Sequence, residues 1–278
     1  MKKYWFFLFL MSLFLWNVSC EENDDPALPA LILTPGDTVL LIRPGDTIRF
    51  SANREVNWTT TTGSITTGGL YLAPSNAGIY LITASTTSGD TPQNASRKVT
   101  VTPHADLFKA MQKGGYVVYF RHMTAANGSD SFQPKETDWW RSCDSTIARQ
   151  LSPQGRVQGQ ETGSAIKNLN LPVGKVISSE FCRCTQSAES LDLKLPIETA
   201  PALTYYIYNE EDRFEQTIAL AEAQPISNKI TVLMAHSFTS GESAPNLQMG
   251  DAAVYKQLPG NKIELVKIIP TADWRALK

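Results

Sequence analysis

Histidine is scarce in this chain: His104, His122 and His236 are the only three among 278 residues. They lie far apart in sequence, and no two have the spacing of metal ligands on one helix face, so no metal site is expected. Basic residues are neither abundant nor clustered. Lys and Arg number 25 against 27 Asp and Glu, for a net charge of −2. Nucleic-acid binding needs a basic face, so nucleic acid is not an expected partner. No P-loop and no dinucleotide glycine fingerprint occurs, and no cofactor is expected. Long apolar runs are missing too. Tyr4 to Trp16 is almost wholly apolar, broken by Ser12, but falls short of the ~20 residues a membrane-crossing helix needs. With Lys2 and Lys3 ahead of it, the run fits the hydrophobic part of an export signal.

Two of the three histidines occupy equivalent places. Tyr116-Val117-Val118-Tyr119-Phe120 leads into Arg121-His122, and Ile230-Thr231-Val232-Leu233-Met234-Ala235 leads into His236. Short β-branched and aromatic runs of this kind read as buried strands of a parallel sheet. Open α/β sheets bind ligands just beyond the carboxyl ends of their strands. Two imidazoles and an arginine are therefore expected at one reactive edge.

The texture of the chain changes along its length. From Pro29 to about Pro103 short strands dominate: Thr38–Ile42, Thr47–Ser51, Val56–Thr60, Ile79–Ser85 and Lys98–Thr102. Pro-Gly-Asp turn signals stand at Pro35–Asp37 and Pro44–Asp46. Such a pattern predicts a β-sandwich, with no cysteine pair to join its sheets and with Trp58 in the core. From His104 onward helices and strands alternate, which predicts βαβ units and a mostly parallel sheet. Helices are expected over Asp106–Lys113, ended by Gly114-Gly115, from Pro153 behind a Ser152 cap, over Arg183–Leu191 and over Asp212–Ala223. Strands are expected at Val176–Ser179 and Ile230–Ala235, with a closing pair at Ala252–Tyr255 and Lys262–Ile269. The polar stretch Thr124–Gln150 is too long for an ordinary connector. Its Trp139 and Trp140 either form part of a lid or pack beneath the loop. Arg149 reads equally as a phosphate contact or a surface residue.

A phosphomonoesterase without a metal needs a nucleophile, cations for the phosphoryl oxygens and a proton source for the leaving alcohol. Neutral imidazole attacks phosphorus, and the guanidinium fork suits phosphate oxygens. Arg121, His122, Arg183 and His236 supply those groups. The helix opening near Arg183 adds a favourable dipole end.

The C-terminal part resembles the histidine phosphatase superfamily, the phosphoglycerate-mutase-like fold, from about Phe108 to Ile269. The resemblance rests on Arg121-His122 after the first strand, with Met123 where the family carries glycine. It also rests on Leu151-Ser152-Pro153-Gln154-Gly155 at a helix opening, on the motif from Ser178-Ser179 through Arg183 to Ser187-Ala188, and on Val232 to His236. It implies a three-layer α/β domain. His122 would become phosphohistidine, Arg121 and Arg183 would bind the phosphoryl group, and His236 would bind it and stabilise the pentacoordinate state. Family members that have a general acid carry it between the second arginine and second histidine, where Glu210 and Glu211 stand; a solvated helix entry is the other reading of these two.

Residues 29–103 resemble bacterial Ig-like domains through Trp58, Gly63-Ser64-Ile65, Gly69 to Pro74 and Gly78 to Ala84. Asn17-Val18-Ser19-Cys20, followed by an acidic run, resembles a bacterial lipoprotein signal, which implies lipid attachment at Cys20. Several acyl chains would anchor the protein to a membrane. The acidic run is either a surface-export tag or a flexible tether. The expected organisation is therefore a signal peptide over 1–19, a tether over 20–28, an Ig-like sandwich over 29–103 and a phosphatase domain over 104–278. The expected location is the bacterial cell envelope, at the outer membrane or cell surface. Cys143, Cys182 and Cys184 remain beyond the anchor. Either Cys143 pairs with one of the other two, or all three are buried thiols. The expected function is hydrolysis of small phosphate monoesters. The competing reading is a phosphate- or glycan-binding module without turnover.

Overall fold

Strand alternation decides which side chains go inside. The computed structural model describes residues 29–87, 92–128, 130, 137–204, 207–208, 213–237 and 245–278; Cys20, Glu210 and Glu211 lie outside the described residues. Among the described residues, the first part holds nine strands: β1 (Leu33–Thr34), β2 (Leu40–Ile42), β3 (Thr47–Arg49), β4 (Ser51–Ala52), β5 (Val56–Thr60), β6 (Ser64–Ile65), β7 (Leu70–Leu72), β8 (Gly78–Thr86) and β9 (Asn94–Val101). They form a four-stranded sheet in the order β2-β9-β8-β5, a three-stranded sheet β3-β7-β6 and the pair β1-β4. Leu40, Ile42, Ile82, Val99 and Val101 of the larger sheet meet Phe50, Tyr71 and Ala73 in one core. Trp58 is half-buried against Phe50, ring centroids 6.1 Å apart.

The second part contains α1 (Ala105–Met111), β10 (Tyr116–Arg121), α2 (Pro153–Asn168), β11 (Val173–Ser178), α3 (Cys182–Ser190), β12 (Ile197–Thr199), α4 (Arg213–Glu222), β13 (Ile230–Ala235), β14 (Ala252–Leu258), β15 (Lys262–Ile269) and α5 (Thr271–Arg275). One six-stranded sheet runs β12-β11-β13-β10-β14-β15. The four strands from β12 to β10 are parallel, and β14 and β15 close the sheet antiparallel. The strand at β12 and the terminal helix α5 were not expected from sequence: the first is three residues long and the second five, too short for a periodicity to register. β11 begins at Val173, three residues before the expected start, beyond a shift in its pairing with β13.

The strands are buried on both faces, so alternate residues feed two different cores. Val118, Phe120, Val176, Val232 and Met234 face Phe108, Met111, Ile166, Ala188 and Trp274 from α1, α2, α3 and α5, and Leu169 just past the end of α2. Val117, Tyr119, Ile177, Leu233 and Ala235 face Leu203, Ala221 and Leu247, with Phe214 and Ile218 of α4 packed alongside. The result is three layers. Leu31–Lys278 makes one compact unit. Leu41 of β2 enters the first of these cores, and Arg43 pairs with Asp106 of α1.

Two local features of α2 fix the loop that leaves β10. The Ser152 hydroxyl caps the helix by accepting from Gly155 N at 3.0 Å and donates to the Thr124 carbonyl at 2.7 Å. A Cβ on Gly155 would lie 2.1 Å from that same carbonyl. Gly155→Ala should therefore destabilise the protein by about 1–3 kcal/mol although alanine favours a helix. Urea denaturation measures it; an unchanged or raised midpoint would show that the loop yields freely.

Candidate active site

Parallel pairing brings the sequence-predicted residues together. In the β10–β13 register Arg121 lies opposite Ala235, and the ladder runs one step further, with His122 N donating to the Ala235 carbonyl at 2.8 Å. On the other side of β13, Ser179 N donates to the Met234 carbonyl at 2.8 Å. Three neighbouring strands thus end at one level. His122 and His236 follow two of them, and the third turns into α3, whose second residue is Arg183. His122 and His236 have ring centroids 5.5 Å apart. Arg183 Nη2 lies 3.4 Å from His236 Nδ1. All three residues are buried.

Each imidazole is fixed by partners of known polarity. His122 Nδ1 is 2.8 Å from the Met123 carbonyl. A carbonyl only accepts, so Nδ1 carries the proton and Nε2 keeps its lone pair. Burial lowers the His122 pKa to about 3, with the Arg183, Arg121 and Arg149 charges acting the same way. The ring is therefore neutral at physiological pH. A guanidinium only donates, so His236 Nδ1 accepts from Arg183, and Nε2 donates to Ser179 Oγ at 2.9 Å. The Tyr119 hydroxyl clamps the backbone of His236, donating to its carbonyl at 2.5 Å and accepting from its N–H at 3.2 Å.

Arg121 donates from Nη1 to the Leu247 carbonyl at 2.8 Å, and its charge reaches His122. Arg183 is nearly enclosed. Burial lowers its pKa, while the Asp130 carboxylate, 3.1 Å from Nη1, works the other way. Its guanidinium lies over the Phe181 ring at 4.2 Å, and that ring meets His236 edge-on at 5.2 Å. Arg149 is half-buried and belongs to this cationic surround: its charge acts on both His122 and Arg183. The Nε atoms of Arg149 and Arg183 are buried without a hydrogen-bond partner among the described residues. Met123, in the place of the resembled family's glycine, is wholly buried in the core, and its N–H donates to Ser187 Oγ at 3.0 Å.

Several described residues of the segment after β10 lie near Arg183. Trp139 is buried against Phe181 at 5.8 Å, so it packs beneath the loop. Trp140 Nε1, Arg141 Nη2 and the Tyr208 hydroxyl all donate to the buried Glu180 carboxylate, at 3.0, 2.6 and 2.6 Å. Burial alone would raise the Glu180 carboxyl; those three donors outweigh it and hold the pKa below its ordinary value. A disulfide joins Cys143 of the loop to Cys182, the residue before Arg183. Cys184 stays a free thiol, buried and pushed up to about 12 by that burial. Tyr119 and Glu180 escaped the sequence reading, although Tyr119 shares a strand face with Arg121. Asp130 carried no signal within its polar stretch.

No family model matches this chain, and no curated protein does. Among solved structures it is similar to phosphatases. One is the protein histidine phosphatase SixA complexed with tungstate, 16% identical over 57% of this chain and 98% of that one, with a TM-score of 0.42. Another is the alpha-ribazole phosphatase of Shigella flexneri, 14% identical over 56% and 96%, TM-score 0.41. A third is a mycobacterial glucosyl-3-phosphoglycerate phosphatase, 12% identical over 55% and 98%, TM-score 0.36.

The buried neutral state of His122 has a thermodynamic consequence. Between about pH 6.5 and 3 the unfolded chain binds a proton at His122 that the folded chain refuses, so stability falls as pH falls across that window. Wild type should lose more stability between pH 7 and pH 4 than His122→Asn, measured by urea denaturation; equal losses would contradict the buried neutral ring. Cys143→Ser should lower the stability of the oxidised protein by about 2–4 kcal/mol by freeing the loop in the unfolded chain, which the same experiment at pH 7 reads.

Proposed function

We propose that this chain hydrolyses phosphate monoesters through a phosphohistidine on His122. The observation that supports this most is the state of that ring: its Nδ1–H is tied to the Met123 carbonyl, and Nε2 is unprotonated amid the charges of Arg183, Arg121 and Arg149. A neutral nucleophile among cations suits attack on a phosphoryl group.

In this reading the phosphoryl oxygens take the donors of Arg121 and Arg183, with His236 beside them. His122 Nε2 attacks phosphorus as the bond to the ester oxygen breaks, and the departing oxygen takes up a proton. Water then attacks the phosphohistidine, releasing inorganic phosphate and restoring His122. Glu210 and Glu211 are the proposed acids by their place between Arg183 and His236 in sequence. No metal is assigned a step. The substrate class is small monoesters, including sugar phosphates of the cell envelope. We further propose that Cys20 carries the lipid anchor in that envelope, and that residues 29–103 are an Ig-like spacer ahead of a phosphatase domain over 104–278.

The test is turnover of p-nitrophenyl phosphate by the purified protein without added metal. His122→Ala should lower kcat by more than about a thousandfold, and Arg183→Ala by about a hundred- to a thousandfold. A brief reaction with labelled substrate should leave acid-labile phosphate on residue 122 of wild type. Equal rates for wild type and His122→Ala would refute the reading.

A further inference from the structure

We propose that Asp130 is a built-in competitor for the phosphoryl site, occupying Arg183 until substrate displaces it; this rests on the phosphatase reading above. The Asp130 carboxylate lies 3.1 Å from Arg183 Nη1 by either oxygen. Its side chain is 12% exposed and that of Arg183 3%, so the pair is sheltered from the screening that weakens surface ion pairs. Oδ1 also accepts from Arg149 N at 3.1 Å, which fixes the carboxylate at the arginine. Asp130 therefore joins the two arginines whose charges both act on His122.

A carboxylate and a phosphoryl group ask for the same donors. The remaining donors of Arg183 are Nη2, which faces His236 Nδ1, and the buried Nε. A dianionic phosphate approaching Nη1 meets a carboxylate already bound there and is repelled by it. Binding then includes the cost of breaking the Asp130–Arg183 pair, and the free site avoids leaving three guanidinium charges around a neutral imidazole. Asp130 thereby sets the affinity for every phosphorylated ligand, including the inorganic phosphate formed at the end of the reaction. The competing account is a positioning one, in which Asp130 holds Arg183 in its working orientation; removing it would then weaken binding and turnover together. The two accounts predict opposite signs.

Calorimetric titration of the full chain with inorganic phosphate and with orthovanadate, at pH 7 and constant ionic strength, separates them. Asp130→Asn keeps the shape and removes the charge. It should bind both oxyanions about tenfold more tightly than wild type, equivalent to about 1.4 kcal/mol, and its KM for p-nitrophenyl phosphate should fall in step. Asp130→Ser, which removes the charge with a smaller side chain, should also tighten binding, and thermal melts with and without vanadate report folding and binding of both variants in one measurement. If wild type binds the oxyanions and the folded variants bind them equally or more weakly, the competitor role is overturned and the phosphatase reading stands. If neither wild type nor the variants bind either oxyanion and none turns over substrate, the phosphatase reading falls and this inference with it.

Discussion

The site depends on β10 and β13 lying side by side, parallel and in one register. That pairing carries the His122 backbone one step past the strand end, onto the Ala235 carbonyl, and so delivers both imidazoles at the same level. Strand side chains alternate between faces, so a slip of one residue would send His122 into the opposite layer. What resists the slip is apolar. Val118 and Phe120 belong to one core, Val117 and Tyr119 to the other, and neither pair fits the other's surroundings without loss of packing. The chemistry at the sheet edge is thus held by hydrocarbon packed well below it, helped by the Tyr119 hydroxyl that grips the backbone of His236.

Gathering cations beside a buried ring works against folding. Two like charges about 5 Å apart in a medium of effective dielectric near 20 repel by roughly 3 kcal/mol. The protein spreads that strain over fixed partners. The Leu247 carbonyl receives Arg121, Asp130 and the Phe181 ring receive Arg183, and His236 Nδ1 turns its lone pair to the same guanidinium. His122 contributes by staying uncharged. Burial is the main reason this ring resists a proton, and the arginine charges add to it; the same charges would favour an anion placed beside the ring.

How much of this was legible in sequence follows from the range of the interaction responsible. The strands at Val56–Thr60, Ile230–Ala235 and Lys262–Ile269 and the Ser152-Pro153 helix start have the bounds expected of them, because turn chemistry, capping and apolar runs are local. His122, His236 and Arg183 were legible as a set because each follows a strand of recognisable composition. The long-range ties around them were not. Arg183 meets Asp130, Arg141 meets Glu180 and Arg121 meets the Leu247 carbonyl across 53, 39 and 126 positions of chain respectively, and nothing at either end of such a contact marks its fellow. The cysteines illustrate the same limit: composition allowed several pairings, and only the fold sets Cys143 against Cys182 while burying Cys184.

The residues packed beside Arg183 set the state of Glu180. The described residues of the segment after β10 are held by Trp139, Ala148 and Leu151 in the core and by specific ties: Trp139 against Phe181, three donors on Glu180, and the disulfide at Cys182. Glu180 stands between Ser179 and Phe181, three residues before Arg183. Its oxygens already accept from Trp140, Arg141 and Tyr208, and these donors keep it ionised below the ordinary carboxylate range. A carboxylate so held has no proton to give at neutral pH. Its work is mechanical: it fastens the loop to the chain segment that carries Phe181, and through Phe181 it braces both the guanidinium of Arg183 and the ring of His236.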